Sequence, residues 1–185
     1  MLREAVSPAR DEFEVRLKQQ SMLADFGRRA LAIDDLDVLL RETAVLVAQG
    51  LGTDMSKVME LQPDGDLLLL RAGVGWRPGV VGTATSGTDT RSAAGYGLKN
   101  QVPIISEDVR SDPRFDAEEF ALAHGVVSSA NVIIRRRDEP FGTLQVDTCS
   151  PRTFSGLERQ IAALTVAIRP LPSSTAAVFH GSPTQ

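Results

Sequence analysis

Cysteine, tryptophan and tyrosine occur once each in this chain of 185 residues, and histidine twice. A single thiol, Cys149, excludes an internal disulfide and any zinc centre built from several thiolates. Long apolar runs are missing as well: no stretch approaches the roughly 18–20 residues of a membrane span. The amino-terminal MLREAVSPARDEFEV carries charges where a signal peptide needs its apolar stretch. Nor is there an excess of positive charge. The net charge of −4 gives no footprint for nucleic acid. The one basic cluster, Arg135-Arg136-Arg137, runs straight into Asp138-Glu139 and reads as a solvated strand end and turn. These absences predict a cytoplasmic protein with neither a membrane nor a nucleic-acid partner.

What remains is ordinary globular material, enough for one domain with extensions. Ser7-Pro8 offers a hydroxyl cap with proline at the first helical position, and Phe13, Leu17, Leu23, Phe26 and Ala30 make an imperfect apolar stripe to about Ala32. From Asp34 a second helix is predicted, with Leu36, Leu39, Leu40, Thr43, Val47 and Leu51 on one face and Gly50 and Gly52 at its end. Met55 to Leu61 and Asp66 to Ala72 read as a hairpin around Pro63-Asp64-Gly65. The run Leu67-Leu68-Leu69-Leu70 suggests that both faces are at least partly covered. Gly73 to Gly87 lacks the spacing of a phosphate loop and is predicted to be a long connection over one end of the sheet.

Further along, a short helix is predicted over Thr88 to Asn100, a short strand over Val102 to Ile105, and another short helix over Glu118 to His124. Ser129 to Arg135 and Phe141 to Thr148 make a second hairpin around Asp138-Glu139-Pro140. In its second strand Leu144 and Val146 alternate with Gln145 and Asp147, which predicts one buried and one solvated face. Ser155-Gly156-Leu157-Glu158 fits a capping box, and Leu157, Ile161, Leu164 and Ile168 follow the spacing of a coiled-coil seam until Pro170 and Pro172 stop it. The tail beyond is small and polar. No internal repeat is visible.

Three strings in this order, AAGYGLKNQVPIISEDVRSDPRF, AHGVVSSANVII and EPFGTLQVDTCSPRTFSGLERQIAALTVAI, resemble a GAF domain. The wording is most similar to GAF domains that serve as amino-terminal sensors of bacterial signalling histidine kinases. The resemblance implies an α+β fold: a central antiparallel sheet of five or six strands, helices on one face, and a lid of short helices and loops on the other. It implies an amino-terminal helix over residues 1–32, the GAF domain over 33–169 and a flexible tail over 170–185.

Each chemistry of the family demands particular residues. Cyclic-nucleotide-binding members resemble one another in an Asn-Lys pair followed by Phe and then Asp-Glu. Here the matching positions hold Asp147-Thr148, Phe154 and Glu158-Arg159, so the lysine is missing. Bilin attachment needs a thiol beside the lid histidine, but Ala123 precedes His124. Haem through His124 has no second feature behind it, and His180 falls in the tail. Members that reduce free methionine sulfoxide use several thiols, and one cysteine cannot both attack and be resolved. The pairs Glu107-Asp108 and Glu118-Glu119 read as solvated faces.

The resemblance and these exclusions together predict a non-catalytic sensor domain with an unidentified small-molecule ligand, an undefined cofactor and no metal site. The polar contacts are expected from Tyr96, Asp108, Arg110, His124, Ser128 and Ser129, with Ile104, Phe115 and Val132 as apolar walls. Asp108 and Arg110 can equally pair with each other. A parallel homodimer through the terminal helices, feeding a histidine kinase or another output domain, completes the expectation. The alternative is a ligand-free GAF domain used as a dimerisation or interaction module.

Overall fold

A computed structural model describes residues 33–136 and 139–154. The expected first helix, the Ser155 capping box, the Leu157/Ile161/Leu164/Ile168 seam and the tail lie outside these residues. No helix among the described residues is long and apolar enough to cross a membrane.

Helix α1 spans Leu36–Leu51. Its cap is Asp35, not Asp34: the Asp35 carboxylate accepts from the backbone N–H groups of Asp37 and Val38, two of the donors a helix start leaves open. Gly52 closes the helix in the left-handed region, at φ 57°, where a side chain would be strained. The predicted apolar face is the buried one, through Leu39, Leu40, Thr43, Val47 and Leu51.

Six strands form one sheet: β1 Met55–Leu61, β2 Leu67–Val74, β3 Thr85–Gly87, β4 Ile104–Ser106, β5 Ser128–Arg136 and β6 Glu139–Thr148. Their order is β3-β2-β1-β6-β5-β4, antiparallel at every step. The bounds of β2, β5 and β6 shift by one or two residues from the sequence reading, with the expected turn residues Glu139 and Pro140 inside β6, and two further strands differ as well. Strand β3 lies inside the stretch expected to be only a connection, and it pairs with the exposed edge of β2. Strand β4 starts two residues late, which leaves Val102 42% exposed and Ile104 buried. Helices α2 (Ala93–Asn100) and α3 (Glu119–Ala123) precede β4 and β5.

The sheet separates two unlike cores. On one side Val58, Ala72, Ala130, Val132, Ile134, Leu144 and Val146 pack against Leu39, Leu40, Val47 and Leu51 of α1. On the other, Met59, Leu68 and Leu70 meet Ala94 and Leu98 of α2, with Trp76, Val80 and Phe120 over them. A register shift between Val58 and Met59 lets Ala72 face α1 while Leu70 faces the opposite way. The Gly75–Ala84 segment, α2 and α3 together form a lid over this second face.

Candidate functional site

Beneath the lid the apolar packing gives way to charge. Lys57 sits in the middle of β1, between Met55 and Met59 on the same face, and its side chain is fully buried. Its ammonium donates to Glu118 Oε2 at 3.0 Å and lies 3.6 Å from Asp147 Oδ2. The rings of Trp76 and Phe120 flank it, with centroids 4.9 and 4.7 Å away. A desolvated cation held this way gains from both the carboxylates and the ring faces.

Burial alone would push the Lys57 ammonium down, but Asp147 and Glu118 more than offset it and hold its pKa above the ordinary lysine value. Asp147 is also fully buried. There burial wins: it raises the carboxyl above the usual aspartate range despite the pull of Lys57 and the Gln145 amide, and Glu118 adds to the rise.

The sheet register extends this site sideways. Lys57 pairs across with Gln145, Gln145 with Asn131, and Asn131 with Ile104; Asp147 pairs with Ser129, and Ser129 with Ser106. Cross-strand partners share a face, so two rows of side chains run under the lid. The Gln145 amide donates to Ser129 Oγ at 2.9 Å and to Asp147 Oδ1 at 2.8 Å. Among the described residues several buried polar atoms of this face have no hydrogen-bond partner: both ends of the Asn131 amide, Gln145 Oε1, Thr143 Oγ1, Glu118 Oε1, Ser106 Oγ, Asp147 Oδ2 (which has only the Lys57 ammonium at 3.6 Å) and, nearer the sheet edge, Ser86 Oγ. A buried polar atom left without a partner costs about 1–3 kcal/mol, so a cluster of them on one face needs an explanation beyond folding.

Close backbone approaches position the lid. A Cβ on Gly73 would stand 2.8 Å from the Trp76 ring, and one on Gly75 would stand 2.4 Å from Asp54 O. The indole N–H donates to Ser56 O at 2.8 Å, and the ring meets Phe120 and His124 edge-on. His124 Nε2 accepts the Arg77 N–H at 3.1 Å, so Nδ1 carries the proton donated to Phe120 O, 2.6 Å away. Beside α3 opens a cleft of about 720 Å³, walled by Thr83–Gly87, Asp89, Arg91, Ser92 and Asp116–Phe120. Glu118 and Ser86 belong both to this cleft and to the buried polar cluster. Lys57, Asn131, Thr143, Gln145 and Asp147 do not line the cleft.

The sequence-predicted residues divide. Ser129 lies in the buried cluster, and Ile104 and Phe115 pack with Tyr96 and Ala93 next to it. His124 clasps α3 to the Arg77 loop rather than opening into the cleft. Asp108 and Arg110 form an exposed two-toothed pair, 2.6 and 2.8 Å, and the Arg110 guanidinium holds the Asp108 carboxyl down at about 2. Two residues face the wrong way. Val132 belongs to the core under α1, not to a lid wall. The Ser128 hydroxyl donates to Glu107 O and accepts the Arg152 N–H. Successive strand residues point to opposite faces, so Ser128 and Ser129 cannot both line one cavity.

Lys57, Asn131, Thr143, Gln145 and Asp147 escaped the sequence reading, which gave Gln145 and Asp147 to solvent. Both are buried, at 3% and 0% exposure, because the lid covers the polar side of β6. Glu118 likewise is no solvated face, since its carboxylate reaches Lys57. A signal existed: lysine in the middle of a strand whose neighbours on the same face are methionines. Cys149 is exposed, its sulfur 3.5 Å from His124 O; burial of the group together with Asp54 and Asp147 raises its thiol above the ordinary value.

Known structures share this architecture. The GAF domain of phosphoenolpyruvate-protein phosphotransferase from Acinetobacter superposes with a TM-score of 0.70 at 20% identity, over 81% of this chain and 89% of that one. The free methionine-R-sulfoxide reductase of Neisseria meningitidis, in complex with its substrate, gives 0.68 at 16%, over 91% and 95%. The chromophore-binding domain of the R. palustris bacteriophytochrome RpBphP3 gives 0.66 at 16%, over 88% and 60%. At these identities the likeness is one of fold. No curated protein matches the sequence. The family model of the GAF domain matches residues 35–169, from the cap of α1 to beyond the sheet, and the chain belongs to that family.

Proposed function

We propose that this GAF domain is a non-catalytic sensor that binds a small polar molecule between the sheet and the lid and passes the occupancy on through its terminal helices. The observation behind this reading is the set of buried polar atoms on Asn131, Thr143, Gln145 and Glu118 that have no partner among the described residues, together with a neighbouring cleft that Glu118 lines. Ligand pockets combine apolar walls with a few convergent polar groups, and Ala84, Ala117 and Phe120 are apolar residues along this cleft. A single cysteine cannot both attack and be resolved, which argues against two-thiol reductase chemistry here. Output follows from a parallel homodimer of the flanking helices, in a signalling protein such as a histidine kinase.

A second reading has one observation in its favour. Lys57 is already held by Glu118, Trp76 and Phe120, as in a ligand-free interaction module whose lid stays shut. Native mass spectrometry of the full chain, with an absorption spectrum, separates the two. The sensor reading expects a bound small-molecule mass that Asn131→Leu removes. Bare protein from every preparation, still bare after incubation with a cell extract of small molecules, decides for the module. Light scattering at tens of micromolar tests the dimer, and a monomer there would end that part of the proposal.

A further inference from the structure

Lys57, Asp147 and Glu118 form one charged cluster, but its third member differs from the other two. Lys57 and Asp147 stand on neighbouring strands of the sheet, and both side chains are fully buried. Glu118 comes from the lid. It is the capping residue of α3, yet its carboxylate makes no capping bond to that helix. One oxygen, Oε2, accepts from the Lys57 ammonium at 3.0 Å, and the other, Oε1, is buried with no hydrogen-bond partner among the described residues. Of the three charged groups Glu118 lines the cleft, and Lys57 and Asp147 do not. The Glu118 side chain therefore borders the cleft and holds the ammonium at the same time.

A contact of this kind can be exchanged. Leaving Lys57 with Asp147 alone, at 3.6 Å, forfeits the 3.0 Å charge-assisted bond. A second carboxylate arriving from the cleft restores that bond, conserves the charge of the cluster and lets Glu118 rehydrate both its oxygens. Charge balance sets the class of the newcomer. A monoanion replaces Glu118 one for one, whereas a dianion adds a negative charge beside the buried Asp147. The exposed acids at the mouth of the cleft, Asp116 and Glu119, oppose a dianion as well. The rings of Trp76 and Phe120 beside the ammonium suit a short apolar stem.

We propose that Glu118 is a displaceable latch: a small monocarboxylate entering from the cleft takes its place on the Lys57 ammonium and frees the start of α3 from the sheet. This rests on the ligand-binding reading of the cleft and adds to it the class of ligand and the lid movement that follows. The latch competes with the ligand, so weakening the latch strengthens binding. Apparent affinity is the intrinsic affinity scaled by the fraction of protein that is unlatched.

Trp76 is the sole tryptophan of the chain, and its ring centre is 4.9 Å from the Lys57 ammonium, so its fluorescence reports on the exchange. The full chain is titrated with sodium propionate, and in parallel with propionamide, ethylammonium chloride and sodium sulfate at matched ionic strength. A saturable change is expected with propionate and at least about tenfold weaker binding of the other three, a gap one charged contact supplies. Glu118→Gln keeps the shape of the side chain, removes its charge and should tighten propionate at least about threefold. If that variant fails to fold, Glu118→Asp, whose carboxylate falls a methylene short of Lys57, decides in the same direction. Hydrogen exchange of the Leu122 amide, which bonds back to Glu118 O, should quicken at least about threefold when propionate saturates the wild type. Propionate affinity unchanged or weakened in the variant, or Leu122 exchange unmoved by propionate, overturns the latch and leaves the sensor reading. Saturation by propionamide, ethylammonium or sulfate in preference to propionate overturns the carboxylate class and also leaves it. No saturable response to any probe overturns the proposal, and if the native spectrum shows no retained mass either, the sensor reading falls with it.

Discussion

The two faces of the sheet are made by the same strands, residue by alternate residue, yet they are built to opposite rules. Toward α1 stand Val58, Ala130, Val132, Ile134, Leu144 and Val146, and the polar groups that enter this side are satisfied: the Ser56 hydroxyl donates to Ala44 O at 2.6 Å and the Thr43 hydroxyl to Leu39 O at 2.7 Å. Toward the lid stand Lys57, Asn131, Thr143, Gln145 and Asp147, equally buried and only partly satisfied. Apolar burial stabilises at roughly 25 cal/mol per Å², whereas unpartnered polar groups and buried ions cost stability. One face holds the fold together. The other spends part of that stability on a chemically specific surface, the trade expected where a scaffold carries a site.

The contrast can be broken most sharply at Lys57. Lys57→Met leaves two buried carboxylates facing each other and should cost about 3–5 kcal/mol, read as a lower denaturant midpoint. Neutralising the partners as well, in Lys57→Met with Asp147→Leu and Glu118→Gln, should restore most of that loss, because apolar replacement of a buried ionic group is often neutral or stabilising. On the other face there is no such rescue. Leu40→Ala, at 0% exposure, should cost about 2–5 kcal/mol through the cavity it leaves.

Smaller effects sharpen the comparison in the loop beyond β4. The Arg114 guanidinium holds the Asp112 carboxyl down to about 2, from the ordinary 3.8. A carboxyl lowered in the folded state contributes stability that is fully present above its unfolded value and lost as pH falls through the folded one. Stability measured from pH 5 to pH 2 should therefore fall, and Asp112→Asn should flatten that limb. Asp147 has the opposite sign. Its raised pKa makes ionisation costly in the folded state, and acid relieves that cost. Asp108→Ala, in a fully exposed pair with Arg110, should leave the unfolding midpoint where it was.

The fold was readable where local chemistry marks it. Asp35 and Gly52 cap α1, and the Pro63-Asp64-Gly65 turn sets the first hairpin, so Met55–Leu61 emerges with both ends right. Strand β3 was hidden because three residues in a glycine-rich stretch carry no period, and its existence depends on β2 offering an edge. The site was half readable. Alternation in β6 correctly separates Leu144 and Val146 from Gln145 and Asp147, but it reports polarity and not what lies above. The cover over that polar row comes from Trp76, Phe120 and Glu118, distant in sequence, and only tertiary structure brings them over it. Val132 and Ser128 lie on the same strand as Ser129, but strand parity sends them to the other side.

Whether the unpartnered lid-face groups serve a ligand or the fold is most cleanly asked at Asn131. It is 2% exposed, and neither end of its amide has a hydrogen-bond partner among the described residues. The measurement is the unfolding midpoint of Asn131→Leu beside the wild type, on ligand-stripped protein, together with the native mass of the unstripped preparations. A face built for a ligand predicts a midpoint equal to or above the wild type and loss of the retained small-molecule mass. A midpoint lowered by about 1–3 kcal/mol, the size of a lost buried hydrogen-bonding role, with the native mass unchanged, would contradict it.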